Sequence, residues 1–122
     1  MLLDKIISEY MPGEEAIRVM SEFFAACGHE TRMKMICLLS ISPLNVGQIA
    51  KALEMNQTTV SHQLRVLRDR RIVACFHRGK ETEYRIANDA FFDVLTKVAG
   101  ITNARAEMLV GLLAKLRGGS QP

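Results

Sequence analysis

Hydrophobic positions recur along most of this chain with a helical period, and a single stretch departs from it. Residues 2–10 read as a short helix stopped by Pro12 and Gly13. Residues 14–27 form a second expected helix, with acids in the first turn and Gly28 as its stop. Its Ile17, Met20, Phe24 and Cys27 share one face, with Phe23 beside them. Residues 30–41 are apolar nearly all round after Lys34 and end at Ser42-Pro43, the pattern of a central buried helix. In 46–53, Val46, Ile49, Ala50 and Leu53 keep the i, i+3, i+4, i+7 spacing. Asn45 and Gln48 stand three apart before it, a variant of the capping box. After a turn at Glu54-Met55-Asn56 the next helix is expected to run to Arg71. Asn56 is its N-cap, and Val60, Leu64 and Leu67 make its apolar stripe.

From Ile72 the period becomes two. Residues 72–78 and 82–86 read as strands, with Thr82, Tyr84 and Ile86 alternating against Glu83 and Arg85. Gly79-Lys80 is the turn between them. From 89 to 116 the helical pattern returns, and Gly100 to Asn103 is where it can break or kink. Two short helices joined by a three-residue turn are a helix-turn-helix, and a hairpin directly after the second helix is a wing. The fold class expected is therefore mainly α with a small β-hairpin: a dimeric winged helix-turn-helix. Residues 1–122 form one domain, with the helix-turn-helix at 46–71 and the wing at 72–86. Residues 14–28 and 89–116 carry more apolar surface than such a core needs, so they are the expected dimerisation helices.

Composition narrows the class. The chain has 122 residues, 48% of them hydrophobic and 24% charged, which fits one soluble globular domain. No apolar run is long enough to span a bilayer, and the start MLLDKIISEYMP lacks the plan of a signal peptide, so a cytoplasmic location is expected. Three cysteines without C-x-x-C spacing suit reduced thiols rather than a disulfide framework.

Charge changes the picture more. Between Gln57 and Lys80 six basic residues face Asp69 alone, which leaves +5 in that stretch. The whole chain carries +3, so the remainder carries −2. A basic block on a slightly acidic body is the footprint of a nucleic-acid-binding face. The outward face of the 55–71 helix offers Thr58, His62 and Arg65, with Thr59 and Ser61 at its flanks. Such side chains exchange hydrogen bonds with base edges in a major groove. Arg68, Arg70 and Arg71 follow in the last turns and suit phosphates, as do Arg78 and Lys80 at the hairpin tip. An amphipathic surface helix with a solvated polar face is the plainer alternative for the helix taken alone.

Three separated segments carry a family resemblance. Cys27-Gly28-His29-Glu30-Thr31-Arg32, followed by Met33-Lys34-Met35-Ile36, resembles the opening motif of the ArsR/SmtB-type winged-helix transcriptional repressors. Gln57 to Leu64 resembles their recognition-helix signature and Gly79 to Arg85 their wing. The resemblance implies a homodimer that binds double-stranded operator DNA and changes its grip when an effector arrives. It places DNA contacts on Gln57, Thr58, Ser61 and His62, with Arg78 and Lys80 serving the wing. It also implies metal sites that this chain does not furnish. The positions of the paired thiolates hold Asn45 and Gly47, and those of the last-helix site hold Asn88, Ala90, Ile101 and Ala104. No metal and no other cofactor is expected.

The thiols remain. Cys37 matches a position where some thiol-sensing relatives have a reactive cysteine, but the second cysteine they need on the final helix is missing. Its favoured reading is a small buried hydrophobe. Cys27 ends a helix, where the dipole raises a thiol's pKa. Cys37 and Cys27 are thus the candidate thiol sensors, and a thiol- or metal-responsive repressor using Cys27, Cys37 or Cys75 is the alternative function. His29 reads as a helix-start residue and His77 as a neighbour of phosphate at most. A thiol enzyme with Cys75 or Cys37 as nucleophile lacks a glycine-rich loop, a nucleophile elbow or a triad-like set, so no enzymatic activity is expected. A winged helix that binds only proteins is disfavoured by the +5 block.

Overall fold

The computed structural model describes residues 1–103. Its elements follow the order α1 (Leu2–Tyr10), α2 (Glu14–Cys27), α3 (Glu30–Ile41), β1 (Leu44–Asn45), α4 (Val46–Leu53), α5 (Gln57–Asp69), β2 (Val73–Arg78), β3 (Glu81–Ile86) and α6 (Ala90–Thr102). Part of the expected 89–116 helix lies outside the described residues. The described part stops because Asn103 takes a left-handed conformation (φ 53°). Gly100, by contrast, continues the helix.

The sheet corrects one expectation. The hairpin is joined by a third strand, giving the order β1-β3-β2, all antiparallel. Leu44 pairs with Tyr84 and Asn45 with Glu83, so β3 becomes the central strand. A two-residue strand has no periodicity to betray it, and its pairing is set by tertiary placement. The first strand of the hairpin also starts one residue later than expected. Ile72 caps α5 instead, and its side chain is buried.

The core is built where the periodicities meet. Met35 and Ile36 of α3, Ile49 of α4, and Val60, Leu64 and Leu67 of α5 have no exposed surface. Ile72, Val73, Ile86 and Phe91 close the cluster from the sheet and α6. Helix α3 is central, as its all-round apolar sequence implies. Its Ser40 hydroxyl is buried and donates to the Ile36 carbonyl at 2.7 Å. Phe23 of α2 packs on Phe91 of α6 with ring centroids 5.7 Å apart.

Both helices of the helix-turn-helix are fixed at both ends. Asn45 and Gln48 form the reciprocal capping box at α4, with bonds of 2.8 and 2.9 Å. Asn56 Oδ1 accepts from the Thr59 amide at 2.8 Å and starts α5. At the other ends the same device appears twice. The Glu54 and Met55 amides bond back to Lys51 and Ala50, and the Arg71 and Ile72 amides to Arg68 and Leu67. These are Schellman motifs with Glu54 (φ 54°) and Arg71 (φ 59°) at the left-handed position. The position favours glycine, and a β-carbon there costs about 1–2 kcal/mol. Burial of Ile72 against Leu67 completes the second motif and helps hold Arg71 there.

Candidate nucleic-acid interface

The buried stripe of α5 decides what its other face presents. With Val60, Leu64 and Leu67 turned into the core, Gln57, Thr58, Thr59, Ser61, His62 and Arg65 are all exposed. Thr58, His62 and Arg65 fall on successive turns of the outward face, as the i, i+4, i+7 spacing requires. Thr59 lies at one flank and its amide is used by the cap. Gln57 lies at the start of α5 beside the start of α4. A β-carbon on Gly47 would stand 3.6 Å from its side-chain nitrogen.

The basic residues divide into two groups. Among the described residues, Arg65, Arg71 and Lys80 are exposed and carry no ion pair, so their charge is available to phosphates. Arg70 and Arg78 are held by acids that sequence reading did not pair with them. Arg70 Nη1 lies 3.3 Å from Glu22 of α2, which also accepts from Arg18. Arg78 Nη1 lies 3.6 Å from Glu83. Both arginines are exposed, so these pairs are weak and exchangeable for a phosphate.

Arg68, which also suits a phosphate by its place in the last turns, is exposed, and its Nη1 donates to Cys75 Sγ at 3.4 Å, a contact between α5 and β2. The Glu83 side chain is only 15% exposed and its Oε1 accepts no hydrogen bond. Glu83 lies on the central strand, opposite Asn45 on one side and Phe76 on the other, so it has a cross-strand neighbour on both sides. Arg85 lies over the Phe76 ring at 4.1 Å, a cation–π contact that occupies its charge.

At the hairpin tip Gly79 has φ 66° and begins the two-residue turn, a backbone that glycine adopts freely. It leaves Lys80 exposed beside Arg78. His77 Nδ1 contacts Thr82 Oγ1 across the strands at 3.2 Å.

One residue that supports the interface gave no sequence signal for its role. Arg32 of α3 donates to the Ala26 carbonyl at 2.7 Å and to Gln63 Oε1 of α5 at 2.9 Å, with a longer bond to the Ala25 carbonyl. It caps the end of α2 and fixes α5 to α3. We expect Arg32→Ala to destabilise the protein by roughly 1.5–3 kcal/mol, the range for a hydrogen bond to a charged group. Chemical denaturation checks this, and Lys34→Ala, an exposed neighbour, should change stability by less than about 0.5 kcal/mol.

The thiols are placed differently from expectation. Cys37, expected as a small buried hydrophobe, is only half-buried and lines an open cavity, while Cys27 is the buried one. Burial pushes both thiols above their ordinary pKa, against an attraction from Arg32 at Cys27. Both are therefore protonated, weak nucleophiles near neutral pH. Asn45, at a position where relatives place a metal thiolate, spends its side chain on the α4 cap and on Glu81, 3.3 Å away.

Comparison with known proteins agrees with this geometry. Residues 29–74 match the family described as bacterial regulatory protein, arsR family. Eighty residues are 32% identical to a transcriptional repressor SmtB homolog of Synechocystis, spanning 66% of this chain and 61% of that protein. Sixty-one residues are 36% identical to the biofilm growth-associated repressor of Agrobacterium fabrum, half of this chain and 52% of that one. The chain thus aligns with less than two thirds of the length of these curated relatives. Among solved structures, a homodimeric winged helix-turn-helix DNA-binding domain from Mycobacterium bovis superposes with a TM-score of 0.70 at 22% identity, over 81% of this chain and 94% of that one. The transcriptional repressor PagR of Bacillus anthracis gives 0.62 at 25% identity, over 70% and 99%. The fold is a winged helix-turn-helix, and the chain's residues 29–74 belong to the arsR family of bacterial regulatory proteins.

Proposed function

We propose that this protein is a homodimeric, cytoplasmic regulator that binds double-stranded operator DNA by sequence, represses transcription and is released by an effector. It performs no catalysis. The observation that carries this reading is the outward face of α5. A helix anchored by three fully buried side chains and capped at both ends presents Thr58, Ser61, His62 and Arg65, with unpaired Arg71 and Lys80 beyond its end. Base-edge hydrogen bonding and phosphate attraction are what such a face supplies. Two relatives being repressors supports the direction of regulation. Among the described residues, no helix is long and apolar enough to cross a membrane.

Dimerisation is supported by apolar surface that the single chain leaves bare. Phe24 is 62% exposed and Ile101 83%, with Ile17, Met20, Val94 and Val98 also open. These residues lie on α2 and α6, and burying them between two copies removes a patch that a monomer seldom tolerates. A two-fold dimer places two α5 helices on an inverted repeat with half-sites about one helical turn apart.

The wing gives the test of the phosphate half. Arg78→Ala should weaken binding to all duplexes alike and reduce the slope of log affinity against log salt by about one. An unchanged slope in a salt titration places the wing off the DNA.

Metals are proposed to have no part. Zinc, cadmium or nickel at stoichiometric levels should leave DNA affinity unchanged, since the usual ligand positions hold Asn45, Gly47, Asn88 and Ala90. A tenfold metal-induced loss that vanishes when all three cysteines become serine would overturn this and favour sensing through Cys27, Cys37 or Cys75.

A further inference from the structure

A cavity of about 610 Å³ opens where the end of α2, one side of α3 and the last residue of α4 meet. Reading DNA makes no use of it. Its size lies within the range of small-molecule sites, about 300–1,000 Å³. Most of the wall is aliphatic carbon and soft sulfur from Cys27, Met33, Cys37, Leu38, Ile41 and Leu53, and Gly28 and His29 line it too. Glu30 and Lys34 stand at the rim 3.6 Å apart, so each meets the other's charge. With both thiols kept neutral by burial and Glu30 and Lys34 facing each other, the apolar part of the wall offers no charge to an ion. An ion set against that part would lose hydration without a partner, whereas an uncharged apolar molecule gains by leaving water.

The cavity also touches both supports of α5. Leu53 is the last residue of α4, and the left-handed turn at Glu54 connects it to α5. Met33 follows Arg32, whose guanidinium joins the end of α2 to Gln63 of α5. An occupant that displaces α3 from α4 or from the end of α2 therefore moves the mounting of the DNA-facing helix.

We propose that this cavity binds a small, uncharged, apolar molecule and that its occupancy changes the grip of α5 on DNA. The binding half stands on the cavity alone; the coupling half rests on the DNA-binding function proposed above.

The test uses the full chain and a neutral apolar fluorophore, N-phenyl-1-naphthylamine. Saturable binding at one molecule per chain is expected, with Cys37 protected from maleimide alkylation and the labelling rate of Cys75 on the wing unchanged. Cys37→Phe, which fills the cavity, should weaken the probe at least tenfold. Leu3→Ser, on exposed α1, should not. No saturable binding, an unprotected Cys37, or loss of binding through Leu3→Ser overturns the site. Protection is read on the unaltered protein, so a misfolded Cys37→Phe does not remove the test. Coupling is read by titrating a selected duplex with and without the probe, where at least a threefold change in affinity is expected. A bound probe that leaves affinity unchanged refutes the coupling. A chain that binds no duplex under any condition refutes the proposed function instead, and the probe result then still decides whether the site exists.

Discussion

Leu64→Ala is expected to cost the protein roughly 2–5 kcal/mol of stability, the range for emptying a fully buried leucine site. Leu64 has no exposed surface and sits in the middle of the α5 stripe, between Val60 and Leu67. It packs in the cluster that joins α5 to α3, α4 and the sheet. Single domains are stable by only about 5–15 kcal/mol, so the loss is a large share of the total. DNA binding should fall with it, because α5 without its anchor no longer presents a fixed face. Arg65→Ala, one residue along and exposed, should leave the melting transition nearly unchanged while weakening DNA binding. Equal stability losses from the two substitutions, measured by thermal melting, would mean that α5 is not mounted by this stripe.

The double change Thr58→Ala with His62→Ala is expected to remove most discrimination between operator and random DNA and to spare non-specific binding. Each good base contact is worth roughly 1–3 kcal/mol of discrimination, so loss of both should compress the ratio of affinities by two or more orders of magnitude. Neither residue takes part in a cap or the core, so α5 should remain folded. Competition titrations with the two duplexes measure the ratio. If specific and random binding fall together, these side chains act on affinity and not on reading.

Most of the helical architecture was legible in the sequence because its signals are local. Apolar spacing fixed α2 to α5 to within two residues, and the Asn45–Gln48 and Asn56 caps lie where short-range hydrogen bonding put them. What escaped depends on distance along the chain. Strand β1 has only two residues, and without it Glu83 reads as a surface residue instead of a member of the central strand. The left-handed stops at Glu54 and Arg71 lack glycine, the residue that announces such a stop. Arg32 reaches Gln63 across 31 positions, and Arg70 reaches back to Glu22; charge counting along a segment cannot reveal either. The central place of α3 implies a buried Cys37, yet that side of the helix borders a cavity. The outward residues of α5 were easier to find because the buried stripe determines them by geometry.

The central claim is that α5 and the wing read double-stranded DNA. Its most direct test is to mix the full chain with fragments of the genome that encodes it, recover those retained at moderate salt, and footprint them. We predict retained fragments that share an inverted repeat with half-site centres about one helical turn apart, protected as a unit, and affinity that falls steeply with salt. Absence of binding to any duplex even at low salt would contradict the account, and would leave a winged helix that recognises proteins.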